Sequence, residues 1–270
     1  MATGRILLGT NWKMNKSLAE AIEYSRQLAA LLASLPGEDK VQLFVIPPFT
    51  AIEAVKRHSQ GRFWVGAQNV HWEEWGPYTG EISAPMLRDL GVDLVELGHA
   101  ERRQHFHETD EIINKKVHQV IRHGFRPLLC VGEKSEDKYY GVERETVGRQ
   151  LRIALKDVSS SQASGLIIAY EPVWAIGEGG TAADVEYLGK MLAHVRTTLA
   201  DKLGPEHALT IPVMYGGTIN QGNAAEILRQ GNTDGLFVGR AAWGIQGMAK
   251  LIDICIQAAS SRPSVMPVTH

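Results

Sequence analysis

The sequence predicts an α/β protein folded as a single (β/α)8 barrel, because short apolar runs alternate with longer amphipathic segments along all 270 residues. Eight apolar runs occur, and each is followed by a helical pattern. The length also suits this fold, which typically needs roughly 250 residues. A doubly wound parallel sheet is the structural alternative, but no Gly-x-Gly-x-x-Gly sequence follows the first run.

The predicted strands are short, apolar and rich in β-branched residues, as expected for strands that are buried on both faces. They are Arg5 to Asn11, Val41 to Ile46, Phe63 to Ala67, Val92 to Leu97, Pro127 to Val131, Leu166 to Tyr170, Ile211 to Met214 and Gly235 to Val238. The predicted helices between them are Ser17 to Leu35, Thr50 to His58, Ala84 to Leu90, Glu111 to His123, Gly141 to Asp157, Thr181 to Leu203, Asn220 to Gln230 and Ala242 to Ala258.

Composition points to a cytoplasmic protein that acts on small molecules. The net charge of -2 gives no reason to expect nucleic acid or a membrane as a partner, and no window approaches the ~18 apolar residues of a membrane span. Cys130 and Cys255 lie in apolar runs, which favours buried reduced thiols. No linker divides the chain, so we expect one barrel domain over residues 1–259 and a flexible tail over residues 260–270, which are polar and contain prolines.

Polar residues stand where several predicted strands end, which is where barrel enzymes carry their active groups. Lys13 follows the first strand, His99 the fourth and Glu171 the sixth, while glycine-rich loops with Thr218 and Arg240 follow the last two. A cation, an imidazole and a carboxylate beside amide-presenting loops indicate proton transfer next to a carbonyl of a phosphorylated substrate.

The segment after Glu171 predicts a flap over the site. Its residues are Pro172, Val173, Trp174, Ala175, Ile176, Gly177, Glu178, Gly179 and Gly180. This stretch is too apolar for an ordinary solvated loop, and its glycines oppose a stable helix or strand. We expect Trp174 and Ile176 to exclude water from the site. A buried turn with a surface carboxylate is the plainer alternative.

A metal site is not expected, because the spacing of His99, His105, His107 and Glu108 fits no familiar ligand pattern. Arg102 and Glu108 are interpreted as a structural ion pair beneath the site. Glu96 stands inside a predicted barrel strand, where a carboxylate needs a partner or a wet location.

Several motifs together resemble the triosephosphate isomerase family. They are NWKMN, PPF at Pro47 to Phe49, GAQN at Gly66 to Asn69, TGEIS at Thr79 to Ser83, LGHAERR, AYEPVWAIG, YGG and DGLFVG, and they occur in the order and spacing of that family over residues 5 to about 258. The resemblance implies the TIM-barrel fold and a cis-enediolate mechanism that requires no cofactor and no metal.

The resemblance also implies roles for individual residues. Glu171 matches the general base, His99 the neutral imidazole that polarises the carbonyl, and Lys13 the cation that offsets substrate charge. Asn11 matches a substrate-orienting amide, and Glu101 a buried carboxylate near Lys13. This logic of a Glu base, a neutral His at a helix N-terminus and a closing loop is the established account of triosephosphate isomerase itself. The implied phosphate-binding residues are Gly177, Thr218, Gly239 and Arg240.

Some positions depart from the family pattern. Ala100 replaces a serine, Arg240 replaces a glycine, and Glu178-Gly179-Gly180 stands where Thr-Gly-Lys is common. These features resemble a branch of the family that interconverts L-erythrulose 1-phosphate and D-erythrulose 4-phosphate. The loss of the serine hydroxyl at Ala100 is expected to leave room for the larger substrate. The triose reaction stays open as the alternative, since a methylene-sized difference changes specificity only ~10- to 200-fold. A non-catalytic sugar-phosphate-binding barrel is the alternative of another class.

An unusually aromatic loop, from His71 to Tyr78, follows the third strand. If Trp72, Trp75 and Tyr78 were all exposed, they would form a large apolar patch for a monomer. The resemblance implies that this loop docks into a second subunit, with Thr79 close to the partner's Asn11 and the partner's Lys13, in a twofold homodimer. A surface loop with partly covered rings is the alternative.

Overall fold

Eight parallel strands form a closed barrel in a computed structural model of the chain, which describes residues 5–177, 179–230 and 232–261. The strands are β1 (Ile6–Asn11), β2 (Val41–Ile46), β3 (Trp64–Ala67), β4 (Leu94–Leu97), β5 (Arg126–Val131), β6 (Ile167–Tyr170), β7 (Val213–Gly216) and β8 (Gly235–Val238). Each strand pairs with the next in chain order, and β8 pairs with β1. The predicted (β/α)8 fold is confirmed.

Helices link successive strands. Within the described residues the α-helices are α1 (Leu18–Ser34), α2 (Ile52–Ser59), α3 (Ala84–Asp89), α4 (Ala100–His105), α5 (Asp110–Arg122), α6 (Ser135–Tyr140), α7 (Glu143–Ala154), α8 (Val185–Leu203), α9 (Pro205–Thr210), α10 (Ala224–Gln230) and α11 (Ile245–Ser261). Local signals fix several helix starts: Ser17 and Glu20 form a capping box before α1, and Asp184 caps α8 through the amides of Glu186 and Tyr187. No helix in the described ranges is both long and apolar enough to cross a membrane.

The structure differs from the sequence prediction mainly in short elements. The helices α4, α6 and α9, each of six residues, were not predicted, whereas α3 of the same length was predicted as Ala84 to Leu90. Strand β7 begins two residues later than predicted, since Pro212 has no amide hydrogen for the ladder. Helix α11 continues through Ser260 and Ser261, which the sequence assigned to the tail, and residues 262–270 lie outside the described residues.

Side chains alternate along the strands between the barrel interior and the layer under the helices. The interior is filled by one cluster of apolar residues: Leu7, Phe44, Ile46, Leu94, Leu128, Cys130, Ile167, Ala169, Met214 and Phe237. Gly9 makes this packing possible, because a Cβ there would lie 2.0 Å from the Phe44 ring. The interior is therefore a packed core, and it forms the floor beneath the carboxyl ends of the strands.

Candidate active site

The carboxyl ends of the strands surround a cavity of about 460 Å³, a volume typical of small-molecule sites. The structure brings together in its lining every residue that the sequence analysis assigned to catalysis or phosphate binding. They are Asn11, Lys13, His99, Glu101, Glu171, Gly177, Thr218, Gly239 and Arg240. Because parallel strands all end at one rim, residues that are far apart in sequence meet at this cavity.

Strand alternation directs three polar side chains toward the top of the interior. Asn11 is in phase with Leu7 on β1, Glu96 with Leu94 on β4, and Glu171 follows Ala169 on β6 by two residues. All three polar side chains are buried. The uppermost layer of the barrel interior is therefore polar, while the layers below it are apolar.

Lys13 is held in a left-handed backbone conformation, with φ of 53°, which is uncommon for a residue with a side chain. Two side chains support this conformation. The Asn11 Oδ1 atom accepts a hydrogen bond from the Lys13 amide at 2.6 Å, and the Gln68 amide donates to the Lys13 carbonyl at 2.8 Å. The Lys13 ammonium lies 2.6 Å from the Glu101 carboxylate. Burial raises the pKa of Glu101, but the bond from Lys13 and nearby positive charges outweigh it, so that pKa is lowered overall.

His99 is the residue that precedes helix α4 and caps it. Its Nδ1 atom accepts a hydrogen bond from the Glu101 amide at 3.2 Å, so Nδ1 carries no proton and the neutral ring holds its proton on Nε2. That Nε2 atom lies 3.8 Å from Oε2 of Glu171. The buried imidazole therefore presents an N–H donor beside the carboxylate.

Glu171 follows β6, and two glycines make room for it. A Cβ at Gly132 would lie 1.8 Å from the Glu171 carbonyl oxygen, and a Cβ at Gly216 would lie 2.6 Å from Oε1. The amide of Glu171 donates to the Val131 carbonyl at 2.8 Å, which fixes the backbone. The buried Oε2 atom has no hydrogen-bond partner among the described residues. A buried carboxylate oxygen without a donor is well suited to accept a proton from a substrate.

Glu96 has partners, as the sequence analysis required, and its location is dry. The side chain is completely buried, its Oε2 atom accepts from Asn11 Nδ2 at 2.6 Å, and its Oε1 atom lies 3.7 Å from the Cys130 sulfur. Burial raises the pKa of Glu96 to about 7, and the charge of Glu171 contributes to the rise. Burial likewise raises the pKa of the Cys130 thiol, which favours a core thiol over a nucleophile.

Glu96, His99 and Glu171 can each bring one potential ligand atom within 4.8 Å of the others, and no second group of this kind occurs in the described part of the chain. The histidine set considered from sequence therefore does not form a cluster. His99 keeps a proton on Nε2, which occupies the lone pair that a metal ion would need. We interpret the cluster as a proton-transfer site.

The flap closes over the cavity through part of its length. Residues Val173–Ala175 form a 3-10 helix, and Ala175, Ile176 and Gly177 line the cavity, so Ile176 stands where it can exclude water. Trp174 does not line the cavity, contrary to the expectation from sequence. Its indole donates to Glu133 at 2.8 Å. Gly177 and Gly179 have left-handed backbones, each with φ of 86°, while Glu178 lies outside the described residues.

Glu133 anchors the flap and was missed by the sequence analysis. Its carboxylate accepts hydrogen bonds from Tyr170 at 3.0 Å, Tyr187 at 2.9 Å and Trp174, and its carbonyl accepts from the Val173 amide. Burial raises its pKa, although these hydrogen bonds partly offset the rise. A signal was present, since Glu133 lies at the end of β5 on the same rim as the other active groups.

The loops after β7 and β8 meet the flap at the predicted phosphate site. The Thr218 hydroxyl lies 2.9 Å from the Ala175 carbonyl and 3.1 Å from the Gly180 carbonyl. The Arg240 guanidinium donates to the Gly177 carbonyl at 3.1 Å. Gly239 precedes a three-residue 3-10 helix that begins at Arg240. Arg240 therefore ties the β8 loop to the flap at the edge of the cavity.

The aromatic loop is only partly exposed. Trp72 is half-buried and stacks on His71 with ring centroids 4.1 Å apart, and Tyr78 packs on the same histidine. Trp75 is 68% exposed, and Tyr78 and Thr79 are also exposed. The condition that all three rings are exposed is therefore not met, because Trp72 is half-buried.

The barrel and the groups on its rim define a class of enzyme, the sugar-phosphate isomerases that move a proton next to a carbonyl. The profile of the family described as triosephosphate isomerase matches residues 6–255, so the chain belongs to the triosephosphate isomerase family. The resemblance that the motifs indicated is confirmed.

Individual relatives carry two different names. The chain is 47% identical to a Mesorhizobium japonicum protein named L-erythrulose-1-phosphate isomerase, over 94% of this chain and 97% of the relative. A Rhizobium etli protein with the same name is 43% identical, over 96% and 95%. A protein named triosephosphate isomerase, from Acetivibrio thermocellus, is 41% identical, over 92% and 97%.

Proposed function

We propose that the protein interconverts L-erythrulose 1-phosphate and D-erythrulose 4-phosphate through a cis-enediolate, with Glu171 as the base. One observation carries the mechanism: the unpartnered Oε2 atom of Glu171 and the proton-bearing Nε2 atom of His99 lie 3.8 Å apart in a buried pocket. A carbonyl oxygen held by His99 places the neighbouring C–H bond within reach of Glu171.

The proposed steps balance without a cofactor. Glu171 takes the proton from the hydroxyl-bearing carbon, the C–H electron pair forms a C=C bond, and the former carbonyl oxygen becomes an enediolate oxygen that the His99 N–H stabilises. Glu171 then returns a proton to the adjacent carbon. The proton of the second hydroxyl passes by way of His99 Nε2 to the enediolate oxygen, so the former carbonyl oxygen becomes a hydroxyl and the second oxygen becomes the new carbonyl. The Lys13 ammonium offsets the negative charge of the substrate and of the enediolate, and the Asn11 amide orients the substrate. The amides near Gly177, Gly239 and Arg240, with Thr218, are the proposed phosphate contacts.

The four-carbon substrate is favoured by the names of the relatives at 43–47% identity. Dihydroxyacetone phosphate is the second candidate, because a triosephosphate isomerase is 41% identical over a similar length. The cavity beside Ala100 does not decide between them. It measures about 10 Å³, room for about one water molecule and too little for a hydroxymethyl group. Ala100 therefore does not support a preference for the larger substrate, contrary to the expectation from sequence.

The test of the substrate is a comparison of kcat/KM for L-erythrulose 1-phosphate and dihydroxyacetone phosphate. We expect the four-carbon substrate to be preferred by about tenfold or more, which is the scale on which a pocket discriminates one small group. A preference for dihydroxyacetone phosphate would instead assign a triosephosphate isomerase. Tight binding of both with turnover of neither would assign a non-catalytic sugar-phosphate-binding barrel.

We also propose that the protein is a cytoplasmic homodimer. The two free cysteines are buried, as expected for a reducing compartment. The dimer is supported by large exposed apolar residues in the segments that follow β1, β3 and β4: Met14, Trp75, Tyr78, Met86 and Phe106. Large exposed apolar side chains favour a contact with another protein surface. Thr79, which follows the aromatic loop, is the residue proposed to approach the partner's Asn11.

Substitution of Trp75 by aspartate is expected to weaken this dimer by about 30-fold or more in Kd, because buried tryptophans are frequent hot spots in interfaces. Sedimentation equilibrium of wild type and variant measures the change. Tyr139→Ser is the matched control, since Tyr139 is 83% exposed but lies on α6, and its dimer should match that of the wild type. A wild-type protein that stays monomeric at every concentration would contradict the dimer.

A further inference from the structure

Glu96 is a carboxyl group directly beneath the proposed catalytic residues, and the isomerisation steps do not use it. It stands on β4 and points into the barrel interior, where its Oε2 atom accepts a hydrogen bond from Asn11 at 2.6 Å. Asn11 is held at its other end as well, since its Oδ1 atom accepts from the Lys13 amide. One Nδ2 hydrogen of Asn11 thus goes to Glu96, and the second is left for the cavity that Asn11 lines.

We propose that Glu96 is a positioning residue of the isomerase site, which fixes the Asn11 amide and carries the single proton of a buried pair of carboxyl groups, so that Glu171 is the ionised member. The inference rests on the proposed role of Glu171 as the base. Glu96 would support the base by holding the proton of the pair, so that Glu171 stays ionised.

The geometry favours one proton on the pair. Glu96 and Glu171 are both buried, and each has an oxygen within 4.8 Å of the other and of His99. Two ionised carboxylates so close together in a dry site repel each other, so one of them binds a proton. The raised pKa of Glu96 agrees with this assignment. Glu96 accepts from Asn11 through Oε2 at 2.6 Å, and its Oε1 atom accepts from the Cys130 thiol at 3.7 Å.

Groups from four neighbouring strands and their loops face the Glu96 carboxyl group. The titratable, charged or hydrogen-bonding groups that face it are Asn11 and Lys13 from β1, His99 from the β4 loop, Cys130 from β5 and Glu171 from β6. Burial, the largest effect, and the charge of Glu171 raise the pKa of Glu96, whereas His99, the bond from Asn11 and the charge of Lys13 lower it. The balance places its titration within the range in which the enzyme can be assayed.

The sign of the pH effect follows from the charges. Below a pH of about 7 Glu96 carries the proton, so the proposed pair of carboxyl groups holds one negative charge. As pH rises through about 7, Glu96 ionises and adds a second negative charge to a pocket that must take up a phosphate dianion. Because like charges repel strongly in a dry site, kcat/KM falls as pH rises, by about tenfold or more between about pH 6 and about pH 9.

The test compares the pH profile of kcat/KM for wild type and Glu96→Gln, with whichever of the two phosphorylated substrates the wild type converts faster. Glutamine keeps the acceptor for Asn11 but cannot ionise. We expect the ratio of variant to wild-type kcat/KM to rise about tenfold from about pH 6 to about pH 9. Glu108→Gln is the control, because that buried carboxylate pairs with Arg102 and Lys116 and does not line the cavity, and the shape of its pH profile should match the wild type.

A constant ratio across the pH range, or a wild-type profile with no alkaline fall, would overturn the role of Glu96. If Glu96→Gln does not fold, infrared titration of wild-type protein with 13C-labelled glutamate provides the second test. A neutral carboxyl band that disappears near pH 7 supports the proposal, and its absence at every pH overturns it. Glu133→Gln identifies the band of Glu133, a second buried acid whose pKa is raised by burial. A protein that turns over neither substrate refutes the proposed function, and the infrared result still decides on Glu96.

Discussion

Substitution of Glu171 by glutamine is expected to lower kcat by about 10²- to 10⁴-fold, the range that a positioned general base contributes. Glutamine has nearly the same shape, so the packing against Gly132 and Gly216 is kept, but its amide cannot accept the proton of a carbon acid. KM should change little, because the lost interaction exists mainly in the transition state. Steady-state kinetics together with circular dichroism separate this effect from misfolding.

A second variant at the same position tests the geometry. Glu171→Asp keeps the carboxylate but withdraws it by one methylene, and a displacement of about 1 Å costs about 10²-fold in a well-oriented site. The expected order of kcat is therefore wild type, then aspartate, then glutamine. A glutamine variant with wild-type kcat would contradict the assignment of Glu171 as the base.

Substitution of His99 by glutamine is expected to lower kcat by about 10²- to 10³-fold, the typical cost of removing one donor to a developing oxyanion. The imidazole is fixed by the bond from the Glu101 amide to Nδ1, which directs the Nε2 proton at the substrate position. A glutamine amide is flexible and loses this preorganised direction. The measurement is kcat and KM at a pH where the wild type is most active.

The matched control is His207→Gln. His207 is exposed on α9, which precedes β7 and therefore lies at the opposite end of the barrel from the cavity. Its kcat should stay near the wild-type value. Equal losses in the two histidine variants would indicate a general effect on folding and would contradict a specific role for His99.

Much of the fold could be predicted from sequence, because strands buried on both faces leave continuous apolar runs. Once the order of eight strands is known, the carboxyl ends of β1, β4 and β6 must share one rim, and this places Lys13, His99 and Glu171 together. The short helices could not be predicted in the same way. Helix α4 begins after the His99 cap, and its six residues are too few to show a helical pattern of apolar residues.

The features of the site that the sequence did not predict depend on side-chain orientations, which are set by partners that are distant in sequence. Trp174 was expected over the cavity, but its indole N–H donates to the carboxylate of Glu133 instead. Glu96 could be flagged from sequence as a carboxylate in a strand. Its partners Asn11 and Cys130 are 85 and 34 residues away in sequence, so only the closed barrel reveals them.

The most direct test of proton transfer through Glu171 is to run the isomerisation of L-erythrulose 1-phosphate and of dihydroxyacetone phosphate in deuterated water. We expect the wild type to introduce deuterium at the reacting carbons of the product and of the recovered substrate. In Glu171→Gln the rate of this exchange should fall by about 10²- to 10⁴-fold, as kcat does. Product that forms without any deuterium, or exchange that is unchanged in Glu171→Gln, would contradict an enediolate formed by this base.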